Sequence, residues 1–157
     1  MSDGTHPEIT VEKLSDGSTW IRGPREARIV LNRRTADVMR MQFGGYLLGE
    51  MMVQTLAALD EALDRERPFA IAIDADAQSG YEPQVRTLVT HWLMKRREQL
   101  QPGHVLGAAP MVKMWMQMLN LSLGSKIFHV YEDRAEFDRN VGKVVRESER
   151  MRAARHA

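Results

Sequence analysis

Two carboxylates set two positions apart, Asp74 and Asp76, are followed at short range by a hydroxyl, Ser79, and by a third carboxylate, Glu82. Paired carboxylates can ligate a hard cation or act as a general base when further ligands join them. No Gly-rich phosphate loop with its lysine accompanies this pair, and Glu82 reaches it only if the chain folds back. The competing reading is a solvated acidic loop that a cationic partner recognises. Ser79 stands three residues before Glu82, the spacing of a capping box, so its hydroxyl can cap a helix. Pro83 fits best at the first helical position, which would move the cap to Tyr81 or Glu82. A phosphate on Ser79 would instead sit at a helix N-terminus and change a partner surface by charge. Ser79 is therefore carried forward as a regulatory phospho-acceptor candidate, with Asp74, Asp76 and Glu82 as loop recognition residues.

The remaining reactive side chains argue against catalysis. The histidines are His6, His91, His104, His129 and His156, and none form an i, i+4 pair or an HExxH motif on a helix. The chain has no cysteine, hence no disulfide, thiolate nucleophile, Cys-based zinc site or CxxCH haem attachment. A GxSxG elbow is also missing. The expectation is a non-enzyme without metal or cofactor. With 22 Lys and Arg against 21 Asp and Glu, the formal charge of +1 gives no reason to expect nucleic acid or an anionic membrane. The N-terminus shows no basic and apolar leader, and no apolar run reaches the length of a membrane span. A soluble protein of a reducing cytoplasm is expected.

Local patterns say what should position these residues. Ala70 to Ile73 form a short apolar run, as in a central strand covered on both faces, and Asp74 is expected to end it. Val85, Leu88, Val89, Trp92 and Leu93 then fall on one face of a helix. Upstream, Ile9 to Leu14 and Thr19 to Ile21 flank Asp16-Gly17 as a hairpin. Ala27 to Leu31 and Met39 to Phe43 read as strands, Gly44-Gly45 as a break, and the stripe from Leu48 to Leu63 as a helix. Downstream come strands at 104–108 and 127–131, a helix from Pro110, and a last helix from Glu132 to about Glu149. The order predicts a single α/β domain over 9–149: N-terminal strands, then alternating α and β in a mixed sheet with a parallel core flanked by helices. Residues 1–8 are expected as a flexible lead-in and 150–157 as a basic tail.

The helix from Pro110 to Leu123 has the most unusual composition in the chain. Lys113, Gln117 and Asn120 give it one polar stripe, while Met111, Met114, Trp115 and Met118 belong to more apolar circumference than one sheet-facing stripe needs. Some of it should be exposed as an interface, for which adaptable methionines are suited. The alternative is that neighbouring helices cover it.

The runs VMRMQFGGYLLGEMMVQTLAAL and AIAIDADAQSG resemble the STAS domain of anti-sigma-factor antagonists, and the resemblance spans about Arg28 to Val145. In that family a strand ends at a Gly before the first helix, as at Phe43-Gly44-Gly45. A buried strand then enters an Asp-containing loop with Ser-Gly at the next helix, which Asp74 and Ser79-Gly80 resemble. Members regulated by a kinase carry Asp-Ser-x-Gly, whereas here Gln78 precedes Ser79 and Gly80 follows it. The segments Gly80 to Arg86 and Ala109 to Met114 also look like a bacterial STAS-like subgroup of unassigned role. The resemblance implies a regulatory, signalling module that binds a protein partner or itself as a homo-oligomer, through a helix face and the 74–82 loop. The second functional reading is a carrier whose Met-rich helix and sheet enclose an apolar, lipid-like ligand.

Overall fold

In a computed structural model the described residues are 8–64, 66–124 and 127–155. Most of the expected lead-in, together with His6 and His156, lies outside them. The described residues form β1 (Thr10–Lys13), β2 (Thr19–Arg22), β3 (Arg28–Thr35), β4 (Val38–Leu47), α1 (Gly49–Ala62), β5 (Ala70–Tyr81), α2 (Pro83–Lys95), β6 (Gly103–Leu106), α3 (Pro110–Leu123), β7 (Phe128–Tyr131) and α4 (Arg134–Arg155). One sheet holds all seven strands in sequential order. β1 to β4 pair antiparallel, and β4 to β7 pair parallel. The mixed sheet with a parallel core is thus as the alternation predicts.

The first hairpin turns where Asp-Gly chemistry places it. Gly17 takes φ +87°, and the Asp16 carboxylate accepts the Ser18 N–H at 2.9 Å and the Ser18 hydroxyl at 2.6 Å. The Ser18 hydroxyl bond, followed by the Ser18 backbone bond, holds the Asp16 carboxyl below its ordinary pKa.

Sequential parallel strands joined by right-handed crossovers put every crossover helix on the same side of the sheet. α1, α2 and α3 accordingly pack against Met39, Met41 and Phe43 of β4 and Ile71 and Ile73 of β5 through Met51, Met52, Leu59, Val85, Leu93, Val112 and Leu119. The other face belongs to α4. Its Phe137, Val141 and Val145 pack on Val38, Ala70, Ala72 and Leu106, and the two alanines leave room for the helix to lie close. Near its far end, the Ser148 and Thr35 hydroxyls share a 2.7 Å hydrogen bond that ties α4 to β3. α4 remains helical to Arg155, where fraying beyond Glu149 was expected.

The largest departure from the sequence reading is at the β4–β5 pair. Gly44-Gly45 does not break β4, and Asp74 does not end β5: both strands continue side by side to Leu47 and Tyr81. β5 uses more residues than β4 to cover the same length. Gln42 and Gly44 face Asp74 and Ala77, and Gly45 and Tyr46 face Gln78 and Gly80, so Ser79 is an extra, bulged residue. Polar, turn-favouring residue types hid this strand, whose ladder is made by tertiary pairing. Gly45 has φ +72° and a Cβ there would meet the Ala27 backbone at 3.0 Å, so this glycine is required by the path of the strand.

Candidate interaction site

The expected 74–82 loop is therefore a bulged strand end, and the structure assigns its carboxylates separate tasks. Asp74 is buried on the α4 side of the sheet. Arg134, in the first turn of α4, donates from Nη1 to Asp74 Oδ2 at 2.8 Å and from Nη2 to Asp74 Oδ1 at 3.3 Å. The same Nη2 reaches Asp76 Oδ2 at 3.3 Å. The hydrogen bonding of Arg134 to the Asp74 carboxylate is the main cause that raises the Arg134 pKa above its ordinary value. The cation that this acidic pair meets is thus supplied by the chain itself. Glu82 takes no part. It is the N-cap residue of α2, ahead of Pro83, and its Oε1 accepts the Gly49 N–H of α1 at 3.3 Å. Ser79 caps nothing: it is exposed on the bulge, before the helix begins. Among the described residues no group of three or more His, Asp or Glu side chains could hold a metal ion.

Arg134→Met is expected to destabilise the protein by about 1–3 kcal/mol. Breaking a fully buried pair costs about 3–5 kcal/mol, but the Arg134 side chain is 49% exposed and water offsets part of the loss. Adding Asp74→Leu should recover much of it, because the orphaned carboxylate goes too. Urea melts check this, and a single-variant loss below about 0.5 kcal/mol would show that Asp74 is solvated without Arg134.

α3 divides its apolar residues between core and surface. Val112, Trp115, Met116, Leu119 and Leu123 are buried. Trp115, expected among the interface residues, lies in the core at 3% exposure, with its ring 4.7 Å from that of Tyr81 at the end of β5. Met111 is half-buried and packs against the same core. Met114 and Met118 are exposed at 54% and 41%, and Leu121, at 82%, extends them into an i, i+4, i+7 stripe. Across a groove of about 360 Å³ stands α2, with Met94, Thr90, His91 and Arg86 on that side. Arg86 Nη1 lies 3.7 Å from the Met118 sulfur.

The polar stripe of α3 is used internally. Asn120 Oδ1 accepts the N–H groups of Ile127 and Phe128 at 3.0 and 2.9 Å, and its Nδ2 donates to the Phe128 carbonyl at 3.1 Å. Lys113 is ion-paired with Glu132. These contacts fix the rotation of α3, so the methionine stripe faces outward because Asn120 must face β7.

Between the sheet and the three helices a largely apolar cavity of about 40 Å³ remains, lined by Met41, Phe43, Ile73, Trp92 and Trp115 among others. An apolar cavity that admits benzene has about 150 Å³. The space gives no support to a lipid-like ligand. On the α4 side, His104 Nδ1 and the Tyr131 hydroxyl are 2.8 Å apart, and the His104 and His129 rings stack at 5.9 Å. Burial, then the neighbouring His129, lowers the His104 pKa below that of a free imidazole.

Sequence reasoning missed Arg134, the bonds from Asn120 to Ile127 and Phe128, and the Glu82–Gly49 bond. Arg134 had one visible signal: it is the first cation of the last helix, at the end of the sheet where Asp74 emerges. The other two depend on which loop lies beside which, and the linear pattern carries no trace of them.

No protein-family model matches the sequence, and a search of curated proteins finds no match. Solved structures do match in fold. A DUF3478-family protein of SpoIIAA-like fold from Shewanella loihica PV-4 superposes with a TM-score of 0.55 at 16% identity, over 90% of this chain and 98% of that one. The anti-sigma factor antagonist SpoIIAA in its unphosphorylated form gives 0.53 at 14% identity, over 73% of this chain and 98% of that one. The Bacillus cell fate determinant SpoIIAA in its phosphorylated form gives 0.51 at 15% identity, over 71% and 97%. Among the described residues four α-helices lie on a seven-stranded mixed sheet, and with this likeness the protein has the SpoIIAA-like fold.

Proposed function

We propose that the chain is a non-enzymatic regulatory module of the cytoplasm that binds a protein through the α2–α3 face, with Ser79, on the end of β5 that leads into α2, as a control point. The observation that carries this reading is the exposed stripe Met114, Met118 and Leu121, whose Met118 faces Met94 across the groove. Contiguous apolar surface of this kind marks interaction sites, and methionine adapts to a partner's shape. Ser79 is exposed on the bulge two residues before Tyr81, whose ring lies against Trp115, so a phosphate there would add charge at the end of β5, just ahead of α2. A solved structure of SpoIIAA in a phosphorylated form makes this kind of control reasonable for the fold. Among the described residues no helix is long and apolar enough to cross a membrane.

A photo-crosslinking residue placed at Met118, and separately at Met151 on α4, tests the reading in the producing cells. The expected result is an adduct of discrete mass from position 118 and none from the more exposed position 151. No adduct from 118, or the same smear from both, would overturn it.

A further inference from the structure

We infer that the occupant of the α2–α3 groove is a second copy of this chain, which lays its α1 into the groove across a two-fold axis. This rests on the reading that the α2–α3 face is an interface. The helix layer is divided by charge. α1 carries Glu50, Asp60 and Glu61 and no lysine or arginine. α2 carries Arg86, His91 and Lys95, and α3 carries Lys113; neither contains an acidic residue.

Internal pairs remove some of these charges. Asp60 is bound by Arg96 at 2.7 Å and Lys113 by Glu132, while Glu61 has only a 3.9 Å contact with exposed Lys13. Glu50 and Glu61 are left on α1, and Arg86 and Lys95 on α2 make no ion pair among the described residues. Between its two acids α1 exposes Val53 and Ala57, small enough to enter a groove walled by Met94 and Met118.

Position agrees as well. Glu50 and Arg86 both lie near the start of their helices, and Arg86 lines the α2–α3 groove, whereas Lys95, nine residues on and half a turn round α2, lines the groove between α1 and α2. The sequential strand order sets α1, α2 and α3 side by side and parallel on one face. A two-fold axis between two such layers, running along the helices between α1 and α2, brings each α1 above the other copy's α2–α3 groove. It also preserves helix direction, so Glu50 at the start of α1 meets Arg86 at the start of α2. The interface is isologous and closed, as in most soluble dimers.

Sedimentation of the full chain tests the pairing. The wild type is expected to be a dimer whose dissociation constant rises at least about tenfold when salt is raised from about 0.05 to 0.5 M. Glu50→Arg and Arg86→Glu should each sediment as monomers with unchanged thermal melts. Mixed in equal amounts they should dimerise, because the mixed pair restores both contacts. A dimer insensitive to salt and to both substitutions would place the contact elsewhere and overturn the inference. So would a wild type that stays monomeric at high concentration. In that case a Met118 adduct of another protein's mass would leave the interaction module standing, whereas no adduct would remove both.

Discussion

Phe137→Ala is expected to lower the unfolding free energy by about 3–5 kcal/mol, the usual range for deleting a fully enclosed aromatic ring. Phe137 is 0% exposed and is the largest buried side chain of α4. Its ring takes the edge of Tyr131 at 6.0 Å and lies under the Arg40 guanidinium at 5.6 Å. Around it are Val38, Ala70, Ala72 and Leu106, short side chains that cannot swing in to fill the space. Because among the described residues α4 alone covers this face, the loss should appear as weakened docking of the whole helix, and α4 amides should exchange hydrogen faster than those of α1 to α3. A denaturant melt showing less than about 1 kcal/mol would mean that α4 is held mainly by Thr35–Ser148 and Arg134.

Ile73→Ala, on the opposite face, is expected to cost about 2–5 kcal/mol. Ile73 points from the centre of β5 into the contact between sheet and helices, and it already borders the 40 Å³ cavity. Removing its branch enlarges a space that the neighbouring Trp92 and Trp115 rings cannot close by rotating. Leu88→Ala makes the control. Its position on the α2 stripe predicts the same burial, yet the residue is half-exposed beside the groove between α1 and α2. It should cost about 1–2 kcal/mol. Equal losses for the two variants would contradict the assignment of Ile73 to the deeper layer.

The elements that bury apolar side chains with a clear period were legible in the sequence. Ala70 to Ile73, the stripe at Val85 to Leu93 and the Asp16-Gly17 turn all form where their residue types place them. The exposure of Met114 and Met118 was also legible, because α3 has more apolar circumference than a sheet can cover. What was hidden depends on pairing between distant segments. Residues Asp74 to Tyr81 have the composition of a loop and are held as a strand only because β4 runs beside them. Gly44 looks like a break in sequence, but it continues β4, paired with Arg28 on one side and Ala77 on the other. Asp74 and Asp76 suggested an external cation, and Arg134 comes from a helix some sixty positions later. Trp115 was misplaced for a simpler reason. On a helix this apolar, composition cannot say which residues face the sheet, and the three hydrogen bonds of Asn120 decide it.

Methionine oxidation footprinting tests most directly whether the α2–α3 face is an interface. Met94, Met114 and Met151 are exposed at 53%, 54% and 54%, and Met118 at 41%, so the reference on α4 matches the candidates in accessibility. In purified protein diluted until it is monomeric, all four should oxidise at comparable rates, and buried Met39, Met51 and Met52 slowly. In the producing cells Met94, Met114 and Met118 should slow several-fold relative to Met151, because a partner covers them. Unchanged ratios between the two conditions would show that this face stays open to solvent, and would contradict the account.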